Sequence, residues 1–394
     1  FVMNNNVHFV GGAPDAPLVW PGSGNLAALG GSPPSGNFGL THNRRAFIGN
    51  TAANPSRIAW SILGDPTDWS GTGSGTQDIQ EGDGDTLVTA LPLTVNHLIC
   101  FKQNSIHDLI TTTSPFPTFP LFRDVGCAGK FAAVAVGGFI YFITPQGRMK
   151  ATDGSRIYDS SLPGPTGITD KIDDVWDGLN QCRIQYICGV YNKRLHQIIW
   201  SCSNGSATTN DYSIVWDLTR RAWLRHPKGY DMNVYTLDQD GTIYGGSYDG
   251  VIYQQDKAST FTDASETSPG AISAYLTSGW IDAESQLNMK AVPYGDLSFT
   301  AQTTGTIEFG YGYDFESNQT IDNFSMQASG DKWDQFLWDV GVWGGQTDIS
   351  KFIHMKGRGK YFQFMIRNKT ASEQMSVNGI EFPVKTGPPA VLNS

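Results

Sequence analysis

The sequence predicts an all-β fold, a β-propeller of about five to six blades followed by a β-sandwich-like domain. Three observations lead there. Short apolar runs alternate with Gly, Pro, Asn and Asp turn chemistry, and no segment of a dozen residues carries a 3.6-residue period. Hairpin-like units recur at roughly 40 to 55 residues, the length of a four-stranded blade. Near the C-terminus the pattern changes to strict two-residue alternation, as a one-sided sheet requires.

Residues 1–43 are rich in Gly, Pro, Asn and Ser, with small apolar patches at Val7 to Val10 and Leu18 to Trp20, and are expected to form an extended N-terminal segment lying on a surface. The propeller is assigned to 44–270. Its expected strands are Arg45 to Gly49, Arg57 to Leu63, Thr86 to Ala90, His97 to Lys102, Ile106 to Thr111, Phe131 to Val136, Phe139 to Thr144, Cys182 to Tyr191, Leu195 to Cys202, Ser213 to Leu218 and Ala222 to Arg225. Strands without intervening helices imply antiparallel sheets. Asp-Gly followed by Ile-Tyr recurs at Asp153-Gly154, Asp240-Gly241 and Asp249-Gly250, each read as a tight turn feeding an outgoing strand. Phe139, Tyr141 and Ile143 alternate with Ile140 and Phe142, so both faces of that strand are apolar, as stacked blades demand.

Residues 271–386 form the expected sandwich. Ile307, Phe309, Tyr311, Tyr313 and Phe315 share one face, and Phe362, Phe364 and Ile366 alternate with Tyr361, Gln363 and Met365. Residues 387–394, opening on Gly-Pro-Pro, are read as a tail. Because the chain opens on Phe1, it is expected to be part of a longer or processed product.

Charge bounds the function. The net charge is −10, from 27 basic and 37 acidic side chains, and such a surface disfavours a specific grip on nucleic acid through counterion release. A duplex could still slide past it. No apolar run reaches the roughly 18 residues of a membrane-spanning helix, and the first residues lack the basic and apolar regions of a signal peptide. The five cysteines (Cys100, Cys127, Cys182, Cys188, Cys202) form no CxxC pair and are expected to be reduced and buried.

Candidate chemistry is sparse. Glu81-Gly82-Asp83-Gly84-Asp85 alternates carboxylates as a calcium loop does but lacks the downstream bidentate Glu, and reads as a hairpin loop. Gly357-Arg358-Gly359-Lys360 is followed by an aromatic strand rather than the Gly-Lys-Ser/Thr and helix of a phosphate loop, and reads as a basic turn that at most touches an acidic neighbour. The histidines (His8, His42, His97, His107, His196, His226, His354) are dispersed, with no HxH, HExxH or GxSxG arrangement. Trp60, Trp69, Trp200, Trp216, Trp223 and Trp280 suit blade packing better than sugar stacking. Asn-x-Ser/Thr triplets at Asn204, Asn318, Asn323 and Asn368 carry no weight without a secretory signal. No catalytic, metal-binding or cofactor-binding residue is expected, and the chain is read as not an enzyme.

The stretch His42-Asn43-Arg44-Arg45-Ala46-Phe47-Ile48-Gly49-Asn50-Thr51, with Ala53-Asn54-Pro55-Ser56-Arg57-Ile58-Ala59-Trp60-Ser61 and Asp65-Pro66-Thr67-Asp68-Trp69, resembles the first blade of bacteriophage tail hub proteins. These are the nozzle or packaged-DNA stabilisation proteins that close the portal and tail of short-tailed phages. Phe101-Lys102-Gln103-Asn104-Ser105-Ile106, Val125-Gly126-Cys127 and Gly138-Phe139-Ile140-Tyr141-Phe142-Ile143 before Gly147 continue the resemblance in order, over roughly Thr41 to Asp256. Gly357-Arg358-Gly359-Lys360-Tyr361-Phe362-Gln363-Phe364 and Asn378-Gly379-Ile380-Glu381 look like a closing sheet of phage tail proteins.

The resemblance implies a virion structural protein of the tail. It implies a cyclic homo-oligomer, commonly a hexamer, below the portal and an adaptor or head-completion protein, with tail fibres or tip proteins as further neighbours. Its channel retains packaged double-stranded DNA and lets it leave at ejection. The chain is shorter than the large nozzles and shows no tip or fibre-like extension. Two alternatives are weighed: a carbohydrate-binding or glycan-cleaving β-propeller whose paired carboxylates come from distant strands, and a receptor-binding tail spike, expected to be trimeric.

Overall fold

The computed structural model describes residues 1–12, 14–158, 172–226, 231–256, 262–263, 270–271, 274–284, 286–300, 305–316, 320–326, 348–369 and 375–389. Asn318, residues 390–394 of the expected tail and the His226 side chain lie outside that description. The chain divides into two compact units, Phe1–Asp256 and Lys257–Ser394, so the division falls at 256/257 and not at 270/271.

The first unit is a β-propeller built from six consecutive antiparallel meanders. The first holds β1 (Val2–Met3), β2 (Asn6–Phe9), β3 (Leu18–Trp20) and β4 (Ala27–Ala28), and the second β5 (Gly36–His42), β6 (Arg45–Thr51), β7 (Arg57–Trp60) and β8 (Gly75–Asp78). The third holds β9 (Leu87–Pro92), β10 (His97–Lys102), β11 (Ser105–Ile110) and β12 (Thr118–Arg123), and the fourth β13 (Ala133–Val136), β14 (Phe139–Ile143), β15 (Met149–Thr152) and β16 (Ile157–Tyr158). The fifth holds β17 (Cys188–Asn192), β18 (Gln197–Cys202), β19 (Tyr212–Asp217) and β20 (Ala222–His226), and the sixth β21 (Val234–Leu237), β22 (Ile243–Gly246) and β23 (Ile252–Gln254). The opening strand of each sheet lies beside the opening strand of the next, from β1 through β5, β9, β13 and β17 to β21, which is how blades are arranged about a common side.

Alternation explains why these sheets stack. On β10, Leu98 and Cys100 enter the core shared with Phe47, Ile58 and Trp60 of the second sheet, while Ile99 and Phe101 enter the core shared with Ile140 and Phe142 of the fourth. On β18 and β19, Ile198, Trp200, Ile214 and Trp216 face that same central core, whereas Ile199 and Val215 join Val190 and Ile243 in the core leading to the sixth sheet. A period-two strand therefore feeds a different core from each face. Each fully buried aliphatic or aromatic side chain contributes roughly 1.5–3 kcal/mol.

Residues 1–43, expected to be extended, instead form the whole first sheet and the opening strand of the second. The strands of the first sheet are two to four residues long, too short to register as a periodic pattern. Tertiary contacts hold them: the Phe1 ring stacks on His8 at 4.8 Å and the Thr41 hydroxyl donates to the Val2 carbonyl at 2.9 Å. The strand expected over Cys182 to Tyr191 is also divided. Gln181–Tyr186 winds into a 3-10 turn after a short helix α1 (Asp173–Asp177), and β17 begins only at Cys188.

In the second unit, β24 (Thr262–Asp263) pairs with β25 (Gly270–Ala271). A four-stranded sheet in the order β26 (Ala274–Thr277), β32 (Phe362–Asn368), β29 (Thr306–Tyr313), β30 (Thr320–Ser325) faces a three-stranded sheet in the order β31 (Asp348–His354), β28 (Tyr294–Thr300), β33 (Val377–Glu381). Ile307, Phe309, Tyr311, Phe362 and Ile366 from the first meet Leu297, Phe299, Ile349 and Ile353 from the second in one core, a β-sandwich. Phe315 departs from the expected inward row because β29 stops at Tyr313 and Asp314 and Phe315 turn through positive φ, leaving the Phe315 ring exposed. The Gly-Pro-Pro stretch is not tail alone, since Lys385–Pro389 is β34 and pairs with β27 (Asn288–Ala291). Among the described residues no helix is long and apolar enough to cross a membrane.

Candidate functional site

The acidic loop read as a hairpin loop closes over one of the protein's own cations. Residues 79–86 link the second sheet to the third, and the Lys102 side chain from the end of β10 is fully buried beneath them. Its Nζ donates to Asp83 Oδ1 and Oδ2, both at 2.7 Å, and to the carbonyls of Ile79 (3.1 Å) and Gln80 (3.3 Å). Burial alone would raise the Asp83 carboxyl; the hydrogen bonds from Lys102 and from the Asp85 amide, with the Lys102 charge, hold it below its ordinary value. Asp85 accepts from the Asn104 amide (3.0 Å) and the Ser105 hydroxyl (3.1 Å), and Ser105 also lies 3.1 Å from His107 Nε2. No group of three metal-binding side chains occurs among the described residues.

The Asp-Gly repeats are self-bonded turns. Asp153 Oδ1 accepts from the amides of Ser155 and Arg156, and its Oδ2 accepts from the Tyr158 hydroxyl at 2.7 Å. Asp249 repeats the device with the Val251 amide and the Tyr253 hydroxyl. Gly154, Gly241 and Gly250 have φ of 84, 81 and 82°. The Ile-Tyr after each turn is thereby explained at two of the three repeats: the Tyr of the outgoing strand returns its hydroxyl to the turn Asp.

His97 Nδ1 lies 2.6 Å from Asp108 Oδ2 across β10 and β11. A carboxylate so placed orients an imidazole, as in hydrolases, yet no hydroxyl or thiol among the described residues bonds His97. His8 and His42 are buried, their pKa values lowered chiefly by desolvation, and His42 Nε2 meets the Thr111 hydroxyl at 3.0 Å. Burial pushes the thiols up, Cys188 to about 11 and Cys127 to about 12. Cys182 departs from the expectation of burial and is exposed at the 3-10 turn.

The six tryptophans singled out in the sequence pack or bond within the chain. The Trp60 ring packs at a tilt against Phe116, with centroids 4.5 Å apart, and donates to the Gly73 carbonyl. Trp69 donates to the Pro66 carbonyl, and Trp280 lies 4.7 Å from Phe315. Trp200, Trp216 and Trp223 gather with Trp176, whose ring meets Trp223 edge-on at 5.5 Å. Trp176 sits in α1, a five-residue helix too short to show a period, so the sequence pattern gave it no place.

Gly357-Arg358-Gly359-Lys360 is a pinned loop after β31. The amides of Lys360 and Tyr361 donate to Asp314 Oδ1 at 2.6 and 3.0 Å, the Lys356 amide donates to the Tyr311 hydroxyl, and Gly359 pairs with Lys290. Lys356 and Arg358 are exposed.

No family model matches the chain, and no curated protein does. Among solved structures, it is similar to the computationally designed Ika8 protein at 12% identity, over 65% of this chain and 69% of that one, with a TM-score of 0.39. It is also similar to the extracellular domain of the putative one-component system BT4673 from B. thetaiotaomicron, at 10% identity and a TM-score of 0.33, covering 65% of this chain and spanning only 39% of that one. The WD40 β-propeller domain of Doa1 is similar at 12% identity over 66% of this chain and 92% of that one, with a TM-score of 0.32. Likenesses this loose carry no functional argument, and the description as a propeller rests on strand order and on the alternating cores.

Proposed function

We propose that the chain is a structural subunit of a bacteriophage tail, a nozzle or hub that joins copies of itself into a cyclic ring, with an adaptor or head-completion protein and fibre or tip proteins as its further neighbours, and that it has no catalytic role. The observation that carries this reading is the apolar surface left on sheet edges and on the sandwich. Ile252 on the outer strand of the sixth sheet is 74% exposed, and all four residues of the edge strand β26 are exposed, including Tyr275 and Leu276. Uncharged, unbulged edges invite pairing and are covered in an assembly. The ordered resemblance that begins at His42 supplies the kind of assembly. A ring needs a heterologous interface that closes, and a net charge of −10 suits a channel wall that passes DNA without gripping it.

The glycan-cleaving alternative needs carboxylates facing each other across an open cleft. Asp83, Asp78 and Glu308 are paired with Lys102, Arg57 and Arg367 and serve the sheets themselves, and Asp296 and Glu381, which stand opposite each other, lie on a sheet face rather than across a cleft. The test is the mass and symmetry of the purified assembly, with its position located in images of the virion. A closed ring on the tail axis is expected; a monomer, or a location away from that axis, refutes the proposal.

A further inference from the structure

The outer face of the three-stranded sandwich sheet holds an unneutralised acidic pair beside exposed aromatic rings. Asp296 on β28 stands directly opposite Glu381 on β33 in the strand register, and on its other side opposite Phe352 on β31. Like charges facing each other across strands are destabilising. Ser350 donates a hydroxyl to Asp296, but no cationic side chain among the described residues pairs with Asp296 or Glu381. The Phe352 ring, 54% exposed, stacks on Tyr294 with centroids 4.6 Å apart and meets the His354 ring edge-on at 5.0 Å. Carboxylates next to aromatic faces fit a guanidinium, which donates to both oxygens of a carboxylate and stacks on a π surface. A hard divalent cation would instead need six or more oxygen ligands.

The same unit carries the complement. The side chains of Lys356 and Arg358 project from the loop pinned by Asp314 and Tyr311 and make no ion pair among the described residues. Gly357, at φ +114, lets that loop press against the Tyr313 ring, where an added Cβ would stand 2.9 Å away, and Gly359 lets it press against the Tyr313 Cβ and the Asp314 carboxyl, each 2.8 Å from an added Cβ. Its backbone is therefore held before any partner arrives, which lowers the cost of docking.

We propose that this face is an interaction surface for a second copy of the chain, with Arg358 and Lys356 of one copy seated against Asp296, Glu381 and Phe352 of the next. The inference rests on the ring reading and names the contact within it. Because donor loop and acceptor face are different patches, the contact can repeat head to tail, as a ring requires.

The test uses the full chain and its self-association measured by analytical ultracentrifugation and native mass spectrometry at low and high salt. Arg358→Glu alone and Glu381→Lys alone are each expected to weaken assembly about tenfold, while the chain carrying both regains it, because each copy then offers a reversed loop to a reversed face. Far-UV circular dichroism and melting curves verify that the variants fold. Unchanged assembly in the single variants, or no recovery in the double variant, overturns the inference and leaves the ring reading standing. A salt-sensitive two-fold dimer that follows the charge swap supports the contact and overturns the ring. A wild-type chain that stays monomeric under all conditions overturns both.

Discussion

Replacing Lys102 by Met keeps most of the buried stem and removes the ammonium that closes the 79–86 loop. Asp83 then loses a partner that donates to both its oxygens at 2.7 Å, and the Ile79 and Gln80 carbonyls lose a donor. Breaking a buried ion pair from one side costs about 3–5 kcal/mol. The Asp83 side chain is 20% exposed, so water relieves part of that penalty and the low end, about 3 kcal/mol, applies. In a unit of this size the melting temperature should fall by roughly 6–12 °C. The pH dependence has a definite sign. Asp83 is held below its ordinary value when folded, so its contribution is complete above the unfolded carboxylate pKa of about 3.9 and is lost as pH falls through the lower folded value. The gap between wild type and Lys102→Met should be largest near neutral pH and narrow in acid, and adding Asp83→Asn to the variant should recover part of it. Calorimetric melts across pH measure this. A gap under about 2 °C at neutral pH, or one that does not narrow in acid, would refute the argument.

Trp60→Ala should destabilise the first unit by about 3–5 kcal/mol, because the indole is 1% exposed, packs on Phe47 and Phe116 and caps the Gly73 carbonyl; denaturant unfolding measures it. Gly31→Ala, at φ +78 and with the new Cβ 1.7 Å from the Thr67 carbonyl oxygen, should cost more than about 1 kcal/mol and lower the melting temperature, and an unchanged melt would count against the described path of the chain from the first sheet to the second. Burial raises the Asp153 carboxyl, but the Tyr158 hydroxyl and the Ser155 and Arg156 amides outweigh it and hold it far below the ordinary carboxylate range. Tyr158→Phe should therefore raise the Asp153 pKa, measurable by NMR titration of that carboxyl; no rise would mean that the tyrosine does not close the turn.

What could be seen in the sequence follows from how far apart the cooperating residues lie. The second to sixth sheets show through because each hairpin carries its own alternation and its own turn, as Phe139 to Ile143 and Asp249-Gly250 do. The first sheet does not, because strands as short as Val2–Met3 depend on contacts with Thr41 and its neighbours almost forty residues away. The Lys102 ammonium is likewise invisible beside the acidic loop, since 19 residues separate it from Asp83 and only the return of β10 brings it there. Sequence spacing therefore reads as a hairpin loop and gives no sign of the lysine that folding brings beneath it. The opposition of Asp296 and Glu381 lies further still from local pattern, because their strands are joined by register alone.

Both units hold ion pairs that cancel within the chain, Glu308 with Arg367 in the sandwich among them, but the outer sandwich face also carries charges that do not cancel. In the propeller, charges near the core are neutralised within the chain: Lys102 by Asp83, Asp217 by Arg220, Arg57 by Asp78. Such pairs fix loops to blades and leave little net attraction for a partner, since their fields cancel over a few ångströms. On the outer sandwich face the carboxylates of Asp296 and Glu381 add rather than cancel, and the basic loop at Lys356 and Arg358 does the same with opposite sign. Separated like charges of that kind steer association and fix register more than they stabilise a fold. If the ring forms, its salt sensitivity should therefore follow the sandwich residues and be indifferent to Arg57→Ala or Arg220→Ala, which would lower melting temperature without changing the association constant. The reverse pattern, with assembly lost on changing the propeller pairs, would place the interface in the blades.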